Sequence, residues 1–405
     1  QPGEDYIVPY SFATDPKTAN SIKQLPCYIV YTNENTHRII RENISRSAMY
    51  SGKIHGTGPR YCPSIEDKLV RFADKERHQL FVEPMGENTE EMYIQGFSTS
   101  LPADVQYKML RSLKGFERAQ IMRYAYAIEY DCADPLQLFA TLEFKRISGL
   151  YGAGQFNGTS GYEEAAAQGL VAGINAVLKI RHREPMILKR SESYIGTLID
   201  DLTTKGTSEP YRMMTSRSEY RLLLRQDHAD CRLTPIGREA GLVSDAQYEY
   251  YTQKRKLEIA EVERLENTYI SKEKASDFLQ SRGKEAAKSG ISLADLIRSP
   301  DFSYEDESGL DKYSPELPRG GFITLETDIK YEGYVKKQLN EVARKSKLDA
   351  KKLSPDVDYE QIKGLRIEAA QKLNKVKPLT IGQASRISGV NPADISVLLI
   401  YFGIK

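Results

Sequence analysis

The stretch GLYGAGQFNGTSGYEEAAAQGLVAG, residues 149–173, joins a short apolar piece to a glycine-dense turn and then to a helix of small residues. Gly154, Gly158 and Gly161 have no Cβ atoms, so a ligand can approach the backbone of the turn closely. A helix that begins after the turn offers free N–H groups and the positive end of its dipole, and both favour negative charge. The stretch therefore predicts a turn that contacts a phosphate group or a flat cofactor.

The glycine spacing by itself leaves a plainer alternative open. Gly152, Gly154 and Gly158 form G-x-G-x-x-x-G, which differs from the G-x-G-x-x-G fingerprint of dinucleotide-binding proteins. That fingerprint also belongs early in a βαβ unit. The same residues are equally compatible with a tight turn before a buried helix, whose alanines and glycines would allow close packing.

Length and composition bound the class of protein. The chain has 405 residues, of which 40% are apolar, and this suffices for two or three domains with hydrophobic cores. Its net charge of +1 gives no overall attraction to nucleic acids, so any RNA contact must depend on local basic patches. No apolar run approaches the roughly 20 residues of a membrane span, and the amino terminus shows no basic region followed by an apolar one. We expect no membrane association and a cytoplasmic location.

Cysteine and histidine usage argues against metal sites and a disulfide scaffold. The cysteines lie far apart and form no C-x-x-C pair, which is typical of proteins of the reducing cytosol; they are Cys27, Cys62, Cys132 and Cys231. The five histidines show no metal-binding spacing. We therefore predict that the protein binds no metal.

Hydrophobic patterning changes along the chain. Up to about residue 180, β-rich runs begin at Cys27, His78, Met92 and Gln120. A helical period lies between two of these runs, with Val105, Met109 and Leu113 on one face. Beyond residue 185, helical spacing takes over. The stretch 299–321 is rich in Pro, Gly, Ser and acidic residues and is the best candidate for a linker.

Long motifs over nearly the whole chain resemble one protein family. They include PCYIVYTNENTHRIIRENISRSAMYSG from Pro26, GPRYCPSIEDKLVRFADKERHQLFVEP from Gly58, EPYRMMTSRSEYRLLLRQDHADCRLTPIGREAGL from Glu209 and IGQASRISGVNPADISVLL from Ile381. In these motifs the chain resembles the MnmG (GidA) family, FAD-dependent enzymes that convert the wobble uridine of certain tRNAs to its 5-carboxymethylaminomethyl form. The family's amino-terminal Rossmann segment, which holds the FAD pyrophosphate, has no counterpart from Gln1 onward. We therefore expect the chain to be roughly the carboxy-terminal two thirds of a longer protein.

The resemblance implies an α+β fold. The remainder of a glutathione-reductase-like FAD domain would carry an inserted domain with a mixed or antiparallel sheet, followed by a mostly α-helical carboxy-terminal region. The expected divisions are a connector over 1–25, the inserted domain with the cysteine motif over 26–135, the flavin-contacting segment over 136–185, a helical domain over 186–320 and a helical module over 321–405. Within that module, residues 359–405 have their own helix starts, among them Asn391 as a cap followed by Pro392 at the first helical position, and we expect them to fold separately.

Cys62 is the strongest candidate for a catalytic residue. Pro63 follows it directly and suits the first position of a helix, and two acidic residues would fall in the first turn. A thiol near a helix start, with Arg60 and Lys68 nearby, favours the nucleophilic thiolate. The local sequence is equally compatible with a small buried residue, but the resemblance places a catalytic cysteine in this motif. The other three cysteines are expected to be packing residues.

The resemblance also implies flavin contacts in the glycine segment. The residues concerned are Gly154, Gln155, Asn157, Gly158, Thr159, Gly161 and Tyr162. The helix that opens at Tyr162 would direct its positive end at the edge of the flavin ring and favour a reduced, anionic ring. Glu163 and Glu164 are more simply explained as ordinary acidic residues of a first helical turn.

Four arginines form the candidate RNA-binding site, namely Arg212, Arg217, Arg221 and Arg225. The last three recur at i, i+4 and i+8, on one face of a helix, where guanidiniums suit phosphates and the neighbouring Tyr211 and Tyr220 could stack on bases. The same arginines could instead pair with Glu209, Glu219 and Asp227 in a structural network. A second basic zone, over residues 330–377, is mostly expected to be a solvated helix face.

These expectations together describe part of an enzyme. The resemblance implies FAD and NADH as cofactors, a folate one-carbon donor, tRNA as substrate and an MnmE-type GTPase that docks on the carboxy-terminal helices; we also expect a homodimer. The competing interpretation is a non-catalytic fragment that docks tRNA and the GTPase and does not hold FAD by itself. A flavin disulfide reductase is disfavoured by the absence of a C-x-x-C pair.

Overall fold

A small antiparallel sheet covered by helices forms the first unit. The computed structural model describes residues 2–3, 7, 9–12, 14, 18, 21, 23–54, 63–307, 310–311, 317, 320–354 and 356–403. The strands pair in the order β1-β2-β3 and comprise β1 (Tyr28–Tyr31), β2 (Gln79–Pro84) and β3 (Met92–Gln95). The helices of this unit are α1 (Glu34–Glu42), α2 (Ile65–Arg71) and α3 (Ala103–Arg111). Leu80 of the central strand and Met109 of α3 belong to one buried cluster, so the helices cover one face of the sheet.

Most local signals in this unit are confirmed. Strands form in the runs predicted from Cys27, His78 and Met92, and Val105, Met109 and Leu113 are buried, as their helical period predicts. The run predicted from Gln120 is wrong, because no strand forms there. The Gln106 side chain takes the place of a partner strand: its Nε2 donates to the carbonyl of Ala125, and the N–H of Ala125 donates to its Oε1, both at 2.9 Å.

The predicted flavin-contacting segment packs around a second core. Helix α4 (Tyr162–Ile180) follows a 3-10 turn at Gly154–Asn157, and helix α5 (Tyr194–Lys205) packs against α4. The buried residues of this core are Leu138, Leu142, Val171, Ala172 and Ile199. The glycine turn, which we define as residues 152–161, therefore lies on a rigid support.

In the next part the described residues form helices and one two-residue strand pair, β4 (Tyr269–Ile270) with β5 (Ile291–Ser292). Its helices are α6 (Ala229–Glu239), α7 (Asp245–Asn267), α8 (Lys272–Ser281), α9 (Leu293–Arg298), α10 (Tyr304–Glu307) and α11 (Gly321–Asp349). Leu325 and Ile329 of α11 share a core with Leu265 of α7. The predicted boundary after residue 320 thus falls inside a common core, and the domain division as a whole stays a prediction.

The linker predicted over 299–321 does not behave as one where the structure describes it. Phe302, Tyr304 and Leu310 are 5%, 8% and 8% exposed. Tyr304 and Leu310 join the core that α7, α9 and α11 share. Three apolar anchors therefore outweigh the polar composition of the stretch, because each buries a large surface.

The chain ends in three short helices, α12 (Ile367–Val376), α13 (Ile381–Arg386) and α14 (Pro392–Tyr401), which we call the carboxy-terminal helices. Asn391 caps α14 and Pro392 occupies its first position, as the sequence predicts. The carboxy-terminal helices are not separate from the body, since Lys145 donates to the carbonyl of Val376 at 2.9 Å. Together with the antiparallel sheet unit, the helices confirm the predicted α+β class. None of the helices in the described ranges is long and apolar enough to cross a membrane.

Candidate functional site

The glycine turn adopts backbone conformations that favour glycine. Gly154 and Gly158 have φ angles of +75° and +82°, in the left-handed region. A Cβ atom on Gly158 would also lie 2.8 Å from Cγ2 of Thr207. The N–H of Tyr211 donates to the carbonyl of Gly158 at 2.8 Å, and the N–H of Ser160 donates to the carbonyl of Tyr211 at 3.2 Å. Backbone hydrogen bonds to Tyr211 therefore hold the turn in place.

A buried group of amide and hydroxyl side chains lies beneath the turn. Asn157 donates from Nδ2 to Oε1 of Gln168 at 2.8 Å, and Gln168 donates from Nε2 to Oγ1 of Thr159 at 3.0 Å. All three residues are at most 2% exposed. The Asn157 and Thr159 side chains thus point into the protein, and among the described residues Oδ1 of Asn157 finds no hydrogen-bond partner. Any flavin contact of Gly154, Asn157, Gly158, Thr159 or Gly161, which are all buried, would have to involve the backbone.

Two of the predicted flavin contacts have side chains at the surface. Tyr162 is 92% exposed. Gln155 is also exposed and donates from Nε2 to the carbonyl of Asp131 at 2.8 Å. Beyond Tyr162, one side of α4 carries only small and apolar exposed residues, namely Ala166, Gly169, Leu170, Gly173, Val177 and Ile180. We call this side, with Tyr162, the α4 apolar face.

The first turn of α4 contains a buried carboxylate. Gly161 provides no side-chain cap, and Glu164 is only 3% exposed. Its Oε1 accepts from the N–H of Met213 at 2.7 Å and from Nε of Arg212 at 3.3 Å, whereas its Oε2 has no partner among the described residues. Glu163 is exposed, as an ordinary first-turn acid would be. The Glu164 charge offsets the positive end of the helix, so this helix end is better suited to a neutral ring edge than to a phosphate.

The segment with the four predicted RNA-binding arginines is not a helix, so the predicted row on one face is wrong. Within residues 211–228, all of which the structure describes, the regular structure is a 3-10 turn at Thr215–Arg217. Tyr211 forms an isolated β-bridge with Thr159 of the glycine turn. Tyr211 and Tyr220 are 2% and 4% exposed, so their rings are core residues and cannot stack on a base. Burial of these two rings fixes the path of the segment.

Arg212 and Arg217 are engaged inside the protein. Arg212 pairs with the buried Glu164. Arg217 donates from Nε to the carbonyl of Arg212 at 2.8 Å, and its guanidinium carbon lies 4.1 Å from the centre of the Tyr211 ring. Both guanidiniums therefore stabilise the region around the glycine turn.

Arg225 is also paired, whereas Arg221 is not. Arg225 donates from Nη2 to Asp328 at 2.6 Å and pairs with Asp227 at 3.3 Å, which confirms one contact of the alternative structural network. Arg221 is exposed and has no ion-pair partner in the part of the chain that the structure describes. One of the four guanidiniums is thus fully available to a ligand, and the RNA-binding role of the set stays a prediction.

A buried charge network, which no sequence motif indicates, adjoins the site around the adjacent acids Asp200 and Asp201. Arg190 is 8% exposed. It donates to Asp201 at 2.7 Å, to Glu219 at 2.8 Å and to Asp200 at 3.2 Å. One guanidinium therefore contacts three carboxylates, and Lys205 and Arg386 pair with Asp201 and Asp200, so that three cations balance three acids.

The network extends to the glycine turn in one direction and to the carboxy-terminal helices in the other. The Tyr211 hydroxyl donates to Asp201 at 2.8 Å. Burial, and then the Asp201 carboxylate, raise the pKa of Tyr211, so its hydroxyl remains a donor. Arg386 of α13 donates from Nε and Nη2 to Asp200, both at 2.8 Å. Tyr211, which is hydrogen-bonded to the glycine turn, is thereby linked to Arg386 of the carboxy-terminal helices through a network of buried charges.

The predicted catalytic residue Cys62 lies outside the described residues, and its role stays a prediction. Helix α2 begins at Ile65 with Ser64 as its cap, so Pro63 precedes the cap and does not occupy the first helical position as predicted. The reason is that the Ser64 hydroxyl accepts from the N–H of Asp67 at 3.2 Å. Glu66 is fully buried and accepts from the N–H of Ser100 at 2.8 Å, so its carboxylate faces the core.

The remaining cysteines and the metal prediction have mixed outcomes. Cys231 is half-buried, and burial followed by Asp230 raises its pKa to about 12, in accord with a packing residue. Cys132 is exposed, so its predicted packing role is wrong. No group of three or more His, Cys, Asp or Glu among the described residues could hold a metal ion; the absence of a metal stays a prediction.

Comparison with known proteins gives a consistent result along the chain. The family described as Glucose inhibited division protein A matches residues 1–184. Two further families, described as the tRNA modifying enzyme MnmG/GidA C-terminal helical domain and C-terminal helical bundle, match residues 245–339 and 341–404.

Curated relatives and solved structures agree with these matches. The enzymes named tRNA uridine 5-carboxymethylaminomethyl modification enzyme MnmG from Caldicellulosiruptor saccharolyticus and Clostridium botulinum (strain Loch Maree / Type A3) are both 58% identical over 99% of this chain. The chain spans 64% of the length of each. The structure of Aquifex aeolicus GidA in its form II crystal is 45% identical, with a TM-score of 0.84 over 99% of this chain and 63% of that chain. The chain therefore belongs to the MnmG/GidA family.

Proposed function

We propose that this chain is part of an FAD-dependent enzyme that forms 5-carboxymethylaminomethyluridine at the wobble position of tRNA. The enzyme would use NADH and a folate one-carbon donor and act with an MnmE-type GTPase. The names of the relatives support the tRNA uridine modification, and family resemblance supports the cofactors and the GTPase. Because the chain spans 64% of those relatives, the activity belongs to the whole protein that contains it.

The observation that carries the proposal is the α4 apolar face beside the glycine turn. Tyr162 exposes nearly all of its side chain, and Gly169 and Gly173 have nothing within 4 Å of an added Cβ. A flat ring system needs such an apolar surface, together with a few hydrogen-bond donors at its edge. The first backbone N–H groups of α4 have no intrahelical partner and supply those donors.

The electrostatics of the helix start favour the ring of the cofactor over its phosphates. Glu164 and Arg212 form a nearly neutral pair, and the exposed Glu163 adds negative charge. A pyrophosphate at this point would meet a carboxylate as well as the helix dipole. We therefore assign the backbone of the glycine turn, Gln155 and Tyr162 to the ring and ribityl part of FAD. When bound, FAD supplies the hydride transfer that no side chain of the chain can perform.

A pair of exposed tyrosines tests the flavin site. Replacement of Tyr162, through Tyr162→Ala, should weaken FAD binding about three- to tenfold, the loss expected for one aromatic contact. Tyr269→Ala is the matched control, because Tyr269 is 70% exposed and lies on β4, far along the chain from the turn. The measurement is quenching of flavin fluorescence on titration with each protein. Equal affinities for the two variants would contradict the assignment.

The reaction itself can be tested with tRNA that lacks the modification. The protein, FAD, NADH, the folate donor, the GTPase and GTP are incubated with this tRNA, and its nucleosides are separated by mass. We expect 5-carboxymethylaminomethyluridine, with loss of product when FAD, NADH, folate or GTPase is left out singly. Failure to form the nucleoside, although tRNA and the GTPase bind, would favour the non-catalytic docking fragment instead.

A further inference from the structure

Helix α11 carries an exposed concentration of positive charge in its second half. Between Gly333 and Lys352 the chain has seven basic and two acidic residues, although its overall net charge is only +1. Four of the basic residues define what we call the α11 basic face, namely Lys336, Lys337, Arg344 and Lys347. All four are exposed.

The two acidic residues of this stretch are already engaged elsewhere. Glu341 pairs with Lys345 at 2.8 Å, and Asp349 pairs with Arg386 at 3.0 Å. The α11 basic face has no ion-pair partner in the part of the chain that the structure describes. Like charges three or four residues apart destabilise a helix. Arg344 and Lys347 are three residues apart, so their repulsion lowers the stability of the folded helix, and no ion pair among the described residues offsets this loss.

Other charged side chains on the helices of the same fold have a different pattern. On α7, Arg255 pairs with Glu258 at 2.6 Å and Arg264 pairs with Glu261 at 2.7 Å. The first half of α11 follows the same rule, since Lys330 pairs with Glu326 at 2.7 Å. Pairing with an acid one helical turn away thus recurs in this molecule, and the α11 basic face lacks it.

The geometry of the face suits a polyanionic backbone. With 3.6 residues and a rise of about 1.5 Å per residue, the four side chains fall within about 100° around the helix and about 16 Å along it. Several phosphates of one strand can be contacted over such a length. Tyr334 is 61% exposed at the edge of the face, where Nζ of Lys337 lies 5.9 Å from the centre of its ring. An exposed aromatic ring beside basic side chains is typical of surfaces that bind unpaired bases.

The face continues onto the segment with the predicted RNA-binding arginines. Gln338 donates from Nε2 to the carbonyl of Glu219 at 3.4 Å, and Nζ of Lys345 lies 5.4 Å from the centre of the Tyr220 ring. Arg221, the arginine of that segment without an ion-pair partner, follows directly in the chain. These contacts bring Arg221 and the cations of the α11 basic face to neighbouring positions.

We propose that the α11 basic face, with Tyr334 at its edge, binds the phosphodiester backbone of RNA. The inference rests on the proposed function, which makes tRNA the RNA concerned. Three of the four arginines predicted to bind RNA are engaged within the protein. We therefore assign the main phosphate contacts to the four unpaired cations of the α11 basic face. An acidic protein surface is the alternative partner, and the test distinguishes it.

The test removes the four charges and leaves the helix intact. In the full 405-residue chain, Lys336→Gln, Lys337→Gln, Arg344→Gln and Lys347→Gln are combined, because glutamine is a good helix former. Binding of an unmodified tRNA transcript is followed by fluorescence anisotropy between about 50 and 200 mM salt. The slope of log K against log salt should decrease by about three, since each lost phosphate contact contributes about 0.7 to 0.9. Affinity at the lower salt concentrations should decrease by at least about tenfold.

A matched control removes four exposed lysines from other elements, Lys114, Lys256, Lys272 and Lys288, each changed to Gln. Its slope should remain that of the unaltered chain, and circular dichroism checks that both variants keep their helix content. Tyr334→Ala should weaken binding by about fivefold or more without a change of slope, because the lost contact is uncharged.

The outcomes separate the inference from the function on which it rests. Equal slopes for the basic-face variant and its control would overturn the inference alone. So would loss of GTPase association with unchanged tRNA binding, which would assign the face to a protein partner. Absence of tRNA binding by the unaltered chain would overturn both the inference and the proposed tRNA function.

Discussion

Removal of the Arg386 guanidinium should loosen the carboxy-terminal helices from the body of the protein. Arg386 donates twice to Asp200, at 2.8 Å, and once to Asp349, at 3.0 Å. The Asp200 side chain is 13% exposed and the Arg386 side chain 22%. The substitution Arg386→Leu keeps an apolar side chain in place and leaves Asp200 with the guanidinium of Arg190, at 3.2 Å, as its remaining charge partner.

The magnitude follows from the burial of the two partners. Removal of one partner from a fully buried pair costs about 3–5 kcal/mol, whereas an exposed pair contributes at most about 1 kcal/mol. Arg386 is partly exposed and Arg190 still compensates Asp200, so we expect a loss of about 2 kcal/mol, or roughly thirtyfold in the equilibrium constant. The exposed pair of Arg38 with Glu42 is the control, and Arg38→Leu should cost less than about 0.5 kcal/mol.

Urea unfolding followed by circular dichroism measures the effect, since the chain contains no tryptophan for fluorescence. With Arg386→Leu we expect the carboxy-terminal helices to unfold at a lower urea concentration than the rest. Adding Asp200→Asn should recover part of the loss, because the uncompensated charge is then removed. If Arg386→Leu costs no more than Arg38→Leu, the carboxy-terminal helices are held by apolar packing alone and the reasoning fails.

Three further predictions concern other parts of the chain. In the enzyme that contains this chain, Cys62→Ser should abolish tRNA modification and leave FAD and tRNA binding nearly intact; near-normal nucleoside yields would exclude a catalytic role. His37 and His78 have ring centres 5.5 Å apart, and burial lowers the pKa of both. As the pH falls, the unfolded chain therefore binds protons before the folded chain does. The free energy of unfolding should be constant above about pH 6.5 and decrease below it. His78→Phe should make this decrease smaller, as measured by urea titrations at several pH values. Gly196→Ala places a Cβ in steric conflict with the backbone oxygen of Lys189 and should lower the melting temperature, whereas Gly169→Ala, with open space around its Cβ, should raise stability by about 0.5–1 kcal/mol; a reversed order would refute the packing of α5.

Where a short local signal decides the structure, the sequence is sufficient to predict it. The cap and proline at Asn391 and Pro392, the glycine turn before a helix and the helical period from Val105 all act over a few residues, and all are found in the structure. The strand predicted from Gln120 is absent because a glutamine side chain satisfies its backbone groups. Nothing in the run itself indicates that contact.

The pairing of the arginines could not be predicted, because their partners are distant in sequence. Arg212 contacts Glu164, 48 residues earlier, and Arg225 contacts Asp328, 103 residues later. Only the fold brings these acids into contact with the guanidiniums. Helical spacing therefore made the arginine segment look like a free basic surface, although most of its charge serves to fix the glycine turn and α11.

On α11 the pairing of the acids has the opposite consequence and leaves cations exposed. A basic residue is available to a partner only when the acids within its reach are absent or already paired, so the number of basic residues alone is a poor guide. On α11 the nearby acids Glu332, Glu341 and Asp349 all pair with other cations, and the face from Lys336 to Lys347 is left without compensation. The sequence already shows that this stretch has few acids. Its interpretation as an ordinary solvated helix face assumes that basic residues form ion pairs to the same extent on every helix. The structure contradicts that assumption, because Arg255 and Arg264 of α7 pair with acids one turn away whereas the cations of the α11 basic face do not.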